Sequence, residues 1–454
     1  MKWTPHAYQK QAIKFMVERG AAGLFLDPGL GKSSVTLATF KLLKKQGLVR
    51  RMLVIAPLRP AYSVWPGEAQ KWDEFRELKV SVLHGPDKED RLKAGADVFV
   101  INPEGLTWLA THKQEEVGCD MLAVDESTRF KHGDTQRFKT LRPMLAWFRR
   151  RYILTGSPAP NGLLDLFGQC YILDQGNALG RYITHYRMNY FNPSGFGGYT
   201  WLPKAGAQEA IYKKLQPLVL RMSGADYLDL PPYISNTVEV ELPEEQRATY
   251  DQMEKLLLAT VEDGVITAAN AAAATSKCRQ IANGGIYHDG GEKWTNLHHA
   301  KSDAVVEIVE ELSGKPCLVA YEFRHDLDRL LRVFPDAPHI GGGVSPRRFR
   351  EIEGAWNAGE IPVLLAQPQS VAHGLNLQGV GAAVVLLSVP WDLETYEQFI
   401  RRVWRQGQKE RVGVHHIIAK NTIDEIVMKV LVKKDRVQQD LLEALKTKAS
   451  RRAA

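Results

Sequence analysis

The chain has 454 residues and a net charge of +7, with an isoelectric point near 9.0; 44% of it is hydrophobic and 24% charged. That length allows two or three domains with sizeable cores, and the composition is ordinary for a soluble globular protein. Four scattered cysteines with no Cys-x-x-Cys pair suggest neither a zinc site nor a disulfide framework, and neither a secretory core near Met1 nor an apolar run of membrane-spanning length occurs, so a cytoplasmic protein with reduced thiols is expected.

The positive excess is compatible with a polyanionic partner, as it is with a solvated basic surface. In chain order, the first part alternates short apolar runs with helical stretches. Strands are expected at Leu24–Asp27, Met52–Ala56, Val80–Leu83, Val98–Asn102, Met121–Val124 and Tyr152–Leu154. They are apolar on both faces, as strands of a covered parallel sheet are. From Leu163 to Leu220 the chain turns aromatic, with Tyr182, Tyr186, Tyr190, Phe191, Phe196, Tyr199 and Trp201. These rings serve either to stack on bases or to pack the core of a helical protrusion. A strand-like run, Thr237–Leu242, precedes helical stretches at Glu244–Val261 and Ala268–Thr275. The α/β rhythm returns near Lys301, with strands expected at Cys317–Tyr321, Val363–Ala366, Ala383–Ser388 and Val412–Ile418, and a final helix from about Ile423 to Lys446. The expectation is an α/β protein with two parallel-sheet lobes in tandem and a mainly helical insertion between them. The boundaries are 1–162 for the first lobe, 163–222 for its aromatic insertion, 223–300 for a linker and helical insertion, and 301–454 for the second lobe.

Four clusters carry chemistry. Gly29-Leu30-Gly31-Lys32-Ser33 lies between an apolar run, Ala22 to Leu26, and a helical stretch, Ser34 to Lys45. Strand, glycine loop and helix cradle a triphosphate: backbone N–H groups face the anion, the lysine neutralises its oxygens, and the Ser33 hydroxyl reaches Mg²⁺. Leu26 holds the place of the first glycine of the full phosphate-loop pattern, so a glycine turn into an ordinary helix is the bland alternative. Next, an apolar strand ends in Asp125-Glu126, a pair suited to hold Mg²⁺ and to orient the attacking water. Third, Leu154-Thr155-Gly156-Ser157-Pro158 with Asn161 reads by itself as a turn. Last, Arg402 and Arg405 stand at a spacing that places them on one face of a helix, where they serve as arginine fingers or belong to a solvated basic surface.

Together these clusters resemble the superfamily 2 helicase-type ATPases of the Swi/Snf group, the translocases of double-stranded DNA. Pro5-His6-Ala7-Tyr8-Gln9 is similar to the group's Pro-Tyr-Gln element, and Gly29 to Ser33 to Gly-Leu-Gly-Lys-Thr. Ile55-Ala56-Pro57-Leu58, then Trp65 and Glu68 to Trp72, resembles the first DNA-contacting motif and the Trp-x-x-Glu element beyond it. Ile101-Asn102-Pro103-Glu104 resembles the next motif, and Asp125 to Lys131 resembles Asp-Glu-Ala-His-Arg-apolar-Lys. Leu154 to Pro158 with Asn161 resembles Leu-Thr-Gly-Thr-Pro-x-x-Asn. Gly374-Leu375-Asn376-Leu377-Gln378 resembles Gly-Ile-Asn-Leu, and Arg402 to Gln408 resembles Arg-x-His-Arg-x-Gly-Gln. Asp27-Pro28 and Thr128, where the group has Asp-Glu-Met and histidine, are departures.

The resemblance implies two RecA-like lobes that bind ATP and Mg²⁺ between them. Gln9, Gly29, Leu30, Gly31, Lys32, Ser33, Ser34 and Gly374 would bind nucleotide, with Gln9 reading adenine; Ser33 and Asp125 would hold the metal, Glu126 would activate water, and Arg402 and Arg405 would enter from the second lobe. Arg59, Lys131 and Gln378 would grip nucleic acid. The implied protein is a bare, compact motor of phage or bacterial type, monomeric, moving on duplex DNA with weak sequence preference. A strand-separating DNA or RNA helicase is the alternative, and a scaffold with vestigial hydrolysis a third reading.

Overall fold

The structure, a computed structural model, describes the chain except for residues 195–199, 228–230, 263–267, 289–292, 372–376, 378–382, 406–407, 409 and 450–454. Of 200, 256–262, 268–272, 346 and 443–449 it describes the backbone alone. The apolar runs of the first part are strands β1 (Ala21–Leu26), β2 (Met52–Ile55), β3 (Val80–Val82), β4 (Val98–Ile101), β5 (Met121–Asp125) and β6 (Arg150–Thr155). Then come β7 (Phe191–Ser194), β8 (Thr200–Pro203), β9 (Val219–Met222), β10 (Ile234–Val240), β11 (Gly285–Tyr287), β12 (Trp294–Asn296), β13 (Cys317–Ala320), β14 (His339–Ile340), β15 (Val363–Ala366), β16 (Ala383–Leu386) and β17 (Gly413–Ala419).

The chain divides into two units, residues 1–228 with 434–454, and residues 229–433. The first is built on a parallel sheet ordered β3-β4-β2-β5-β6-β1-β9. Its strands are apolar on both faces because each face meets its own core. Leu53 and Ile55 of β2 join Phe99 and Ile101 of β4 in one cluster, while Met52 and Val54 join Val98 and Val100 in the other. Functional loops then gather at the carboxyl ends of the strands.

The second unit carries a parallel sheet ordered β10-β17-β16-β13-β15-β14. Leu318 and Ala320 of β13 face one core, Cys317 and Val319 the other. A buried polar network braces it. The Lys301 ammonium, fully buried, donates to Asn283 Oδ1 at 2.8 Å and to the Leu387 carbonyl at 3.2 Å, and pairs with Asp424 at 2.6 Å. Removing one partner of such a pair would strand a buried charge.

Two details of organisation differ from expectation. The segment 163–222 holds helices at Leu166–Asp174, Ile183–Tyr190 and Ala207–Leu215, and in addition the antiparallel hairpin β7–β8 and β9, which pairs with β1 at the edge of the first sheet. Val219–Met222 falls in the segment assigned by sequence to the aromatic insertion, and its place in the sheet comes from pairing with β1, which no local pattern announces. Residues 434–454, assigned by sequence to the second lobe, fall with the first unit, where Leu441 and Leu442 are buried in its core. A continuous amphipathic helix, Ile423–Ala449, gives no sign of where its packing partner changes.

The aromatic segment packs. Tyr186 is fully buried among Phe167, Tyr190 and Phe191, with ring centroids 5.2–5.8 Å apart, and the Arg187 guanidinium lies 5.4 Å from the Trp201 ring. Tyr182 remains exposed; Phe196 and Tyr199 lie outside the described residues.

Candidate nucleotide site

Helix α1 (Ala7–Val17) precedes β1, and α2 (Lys32–Lys45) follows it after Asp27-Pro28-Gly29-Leu30-Gly31. Gly29 and Gly31 have φ of 91° and 78°, the left-handed region that glycine enters without strain. A Cβ on Gly31 would also stand 2.5 Å from Gln9 Nε2, so a side chain there would displace that amide. The Gln9 amide is engaged with the chain itself: Nε2 donates to the Leu30 carbonyl at 3.3 Å, and Oε1 accepts from the His6 N–H at 3.0 Å. No side chain caps α2, so its first N–H groups are presented as an anion-binding terminus. Lys32 Nζ donates to the Leu26 carbonyl at 2.9 Å, which folds the ammonium back over the loop. Asp27 is a strut: it pairs with Arg221 of β9 at 2.7 Å and accepts from the Gly224 N–H at 2.9 Å.

Asp125 is the last residue of β5, and in sheet order β6 alone separates β5 from β1. The carboxylate is buried, and both oxygens are taken. Oδ2 accepts from the indole N–H of Trp65 at 3.1 Å, Oδ1 from the Glu126 N–H at 3.2 Å. Burial first, then the neighbouring Glu126 charge, push the Asp125 carboxyl up to about 6, against the opposing influence of Lys32 and of the Trp65 hydrogen bond. Glu126 turns out of the strand with φ 50°, a left-handed conformation uncommon for a residue with a side chain. Two adjacent carboxylates short of positive charge fit a divalent cation. Among the described residues no cluster of three or more His, Cys, Asp or Glu could cage a metal. One or two protein groups completed by phosphate oxygens is the usual Mg²⁺ arrangement, and Ser33 and Asp125 suit it.

The Thr155-Gly156-Ser157 turn, at the end of β6, stands between the two. A Cβ on Gly156 would meet Pro28 Cδ at 3.0 Å, so the phosphate loop and this turn are in close packing. Ser127 Oγ–H donates to Gln169 at 2.7 Å, and Gln169 Nε2 donates to the Pro158 carbonyl at 2.7 Å, which ties the acidic turn to the same loop.

Sequence reasoning gave the Trp-x-x-Glu element no part in this site. It lies on α3 (Leu58–Lys71) and the residue that follows. Trp65 reaches Asp125, and Glu68 accepts from the Ser34 hydroxyl at 2.6 Å and from the Trp72 indole N–H at 2.8 Å. The spacing 65, 68 puts both on one face of a helix, which was the available signal, and Trp72 is the residue at which that helix ends.

Among the nucleic-acid candidates, Arg59 is exposed near the start of α3. Lys131 is mostly buried, with its ammonium 3.7 Å from buried Asp165. Arg129 and Arg137, not singled out from sequence, flank Glu104. Burial would raise that carboxyl, but the hydrogen bond from Asn102 at 2.8 Å and the two arginine charges hold it below its ordinary range. Gly374 and Gln378 lie outside the described residues.

In the second unit Arg402 sits in the last turn of the helix Leu393–Val403 and donates from Nε to the Gln398 carbonyl at 3.2 Å. Arg405 lies past the helix end, so the two arginines do not share a helical face as their spacing suggested. The helix stops because Trp404 leaves the helical region, at φ −87° and ψ 86°, with its indole N–H bound to the Pro231 carbonyl at 2.7 Å.

Residues 8–285 match the SNF2-related domain, and residues 300–407 the helicase conserved C-terminal domain. The chain belongs to the SNF2 family. Protein p41 of Acyrthosiphon pisum secondary endosymbiont phage 1 is 38% identical over 98% of this chain and 99% of its own length. The DNA repair and recombination protein RAD54 of Oryza sativa subsp. japonica is 24% identical over 96% of the chain, which spans 51% of that protein. A solved structure described as a Sulfolobus solfataricus SWI2/SNF2 ATPase core in complex with dsDNA is 22% identical, with a TM-score of 0.45, over 98% of this chain and 94% of that one. As a member of the SNF2 family, the protein is an ATPase of the nucleic-acid-dependent, helicase and translocase type. Among the described residues no helix is long and apolar enough to cross a membrane.

Proposed function

We propose that the protein hydrolyses Mg²⁺·ATP at the carboxyl ends of β1 and β5 and uses the cycle to move along duplex DNA. The observation that carries this reading is the buried Asp125, raised by burial and by Glu126, across β6 from a glycine loop whose lysine is folded over it. In this reading α2's N-terminus and Lys32 bind the phosphates; Ser33 and Asp125 would hold Mg²⁺, which would supply neutralisation of phosphate charge. Glu126 orients and deprotonates the attacking water. Arg402 and Arg405 are the arginines we assign to charge on the transferred phosphoryl group. Arg59, with Arg129 and Arg137, grips phosphates of the DNA backbone. Such contacts carry little sequence information and weaken steeply with salt. The engagement of Lys131 with Asp165 makes it a brace of the acidic turn before it is a grip.

The test is steady-state ATP hydrolysis without nucleic acid, then with duplex DNA, single-stranded DNA and RNA at one low salt concentration. Strong stimulation by duplex supports translocation. Stimulation mainly by single strands moves the reading to strand separation, and none at all to a nucleotide-switched scaffold. Lys32→Ala and Glu126→Gln should each abolish turnover while DNA binding, read by fluorescence anisotropy, survives. Wild-type rates in either variant would sink the site assignment.

A further inference from the structure

The Trp-x-x-Glu element is a sequence motif that the reading above leaves without a role. Its first member makes an unusual contact. Trp65 is fully buried, and its indole N–H is directed at Oδ2 of Asp125, 3.1 Å away. A buried tryptophan N–H finds some acceptor in most cores, often a carbonyl. Here the acceptor is the carboxylate proposed to serve the metal. The helix that presents it is itself anchored to the phosphate loop's helix, since Glu68, one turn on, accepts from Ser34, the residue after Ser33. Trp72 fixes Glu68 in turn at 2.8 Å. One face of α3 therefore touches both halves of the proposed Mg²⁺·ATP site. A group that hydrogen-bonds a metal-ligating carboxylate sets its orientation, and such partners are worth about 10–100-fold in metal affinity.

We propose that Trp65 is a positioning residue for Mg²⁺·ATP: its N–H holds Asp125 in the orientation the metal requires, with Glu68 fixing the helix that carries it against α2. This rests on the reading of Asp125 as the metal carboxylate. Trp65 touches neither nucleotide nor reacting atoms; it acts through Asp125 alone.

The experiment is equilibrium binding of N-methylanthraniloyl-AMPPNP to the full chain, without DNA, in Mg²⁺ and in EDTA. Trp65→Phe keeps an aromatic ring and deletes the donor. About a tenfold loss of affinity in Mg²⁺, with affinity in EDTA unchanged, is expected. In an Asp125→Asn background the same substitution should change nothing further. Benzothienylalanine at position 65, which keeps the bicyclic shape and lacks the N–H, should behave as Trp65→Phe does and covers the case in which phenylalanine leaves a cavity that unfolds the lobe. Wild-type affinity in Mg²⁺ for either replacement would overturn the proposal, as would equal losses in Mg²⁺ and EDTA, which signal a distorted pocket. The assay contains no DNA, so a failure of DNA to stimulate hydrolysis would overturn translocation and leave this result standing.

Discussion

Asp125, the carboxylate we assign to the metal, is held buried at a cost to the fold. Its carboxyl is raised to about 6 by burial and by Glu126, whereas in an unfolded chain it titrates near 4. A carboxyl raised on folding contributes stability fully below the unfolded value and loses it as pH rises through the folded one. At pH 7.5 the ion-free first unit therefore carries a strained charge. Asp125→Asn should abolish turnover yet stabilise the nucleotide-free protein by about 1–3 kcal/mol at pH 7.5. Calorimetric melts should show the gap closing towards pH 5; a gap independent of pH would refute the argument. At this scale the sequence displayed the residues with strong chemistry. Lys32, Asp125 and Glu126 announce themselves by charge at the end of apolar runs. Trp65 does not, because an indole that meets its partner across the fold looks like any core residue until the strands are aligned.

Most elements were legible, since strands buried on both faces read as unbroken apolar runs between turn residues. The glycine loop and the helix after it were read as Gly29–Ser33 and Ser34–Lys45; in the structure the loop starts at Asp27, just past β1, and the helix already at Lys32. Two edge strands escaped: β14 has only two residues, and β9, though as long as β2 or β4, lies in a segment read as an aromatic insertion. Arg402 and Arg405 were misplaced for a related reason, because a helix is ended by tertiary capture of Trp404 rather than by any local stop signal. That geometry sets the two arginines apart. Arg402, at the helix's last turn, is held by the Gln398 carbonyl, and Arg405 belongs to the turn beyond. Arg405→Ala is expected to cost on the order of 10³ in turnover with little loss of ATP affinity. Single-turnover hydrolysis beside nucleotide binding measures both, and an unchanged rate would make Arg405 a surface residue.

At the scale of the molecule, sequence gave two parallel-sheet lobes and missed that the first is discontinuous. Leu441, fully buried, and Leu442 complete a core that includes Phe167, Tyr171 and Tyr212. Leu441→Ala should destabilise the first unit by about 2–5 kcal/mol and leave the second unit's transition in place. Differential scanning calorimetry separates the two, and a shift confined to the second unit would contradict the assignment. The same arrangement has a consequence for synthesis. A ribosome that has delivered residues 1–228 must still make the whole second unit before the segment that seals the first emerges. At roughly 5–20 residues per second, the landing site for Leu441 stays bare for roughly 10–40 s on every nascent chain. During that interval the newborn first unit carries an uncovered apolar patch, and chaperone supply or a faster elongation rate, rather than the finished protein's stability, governs how much of it reaches the folded state.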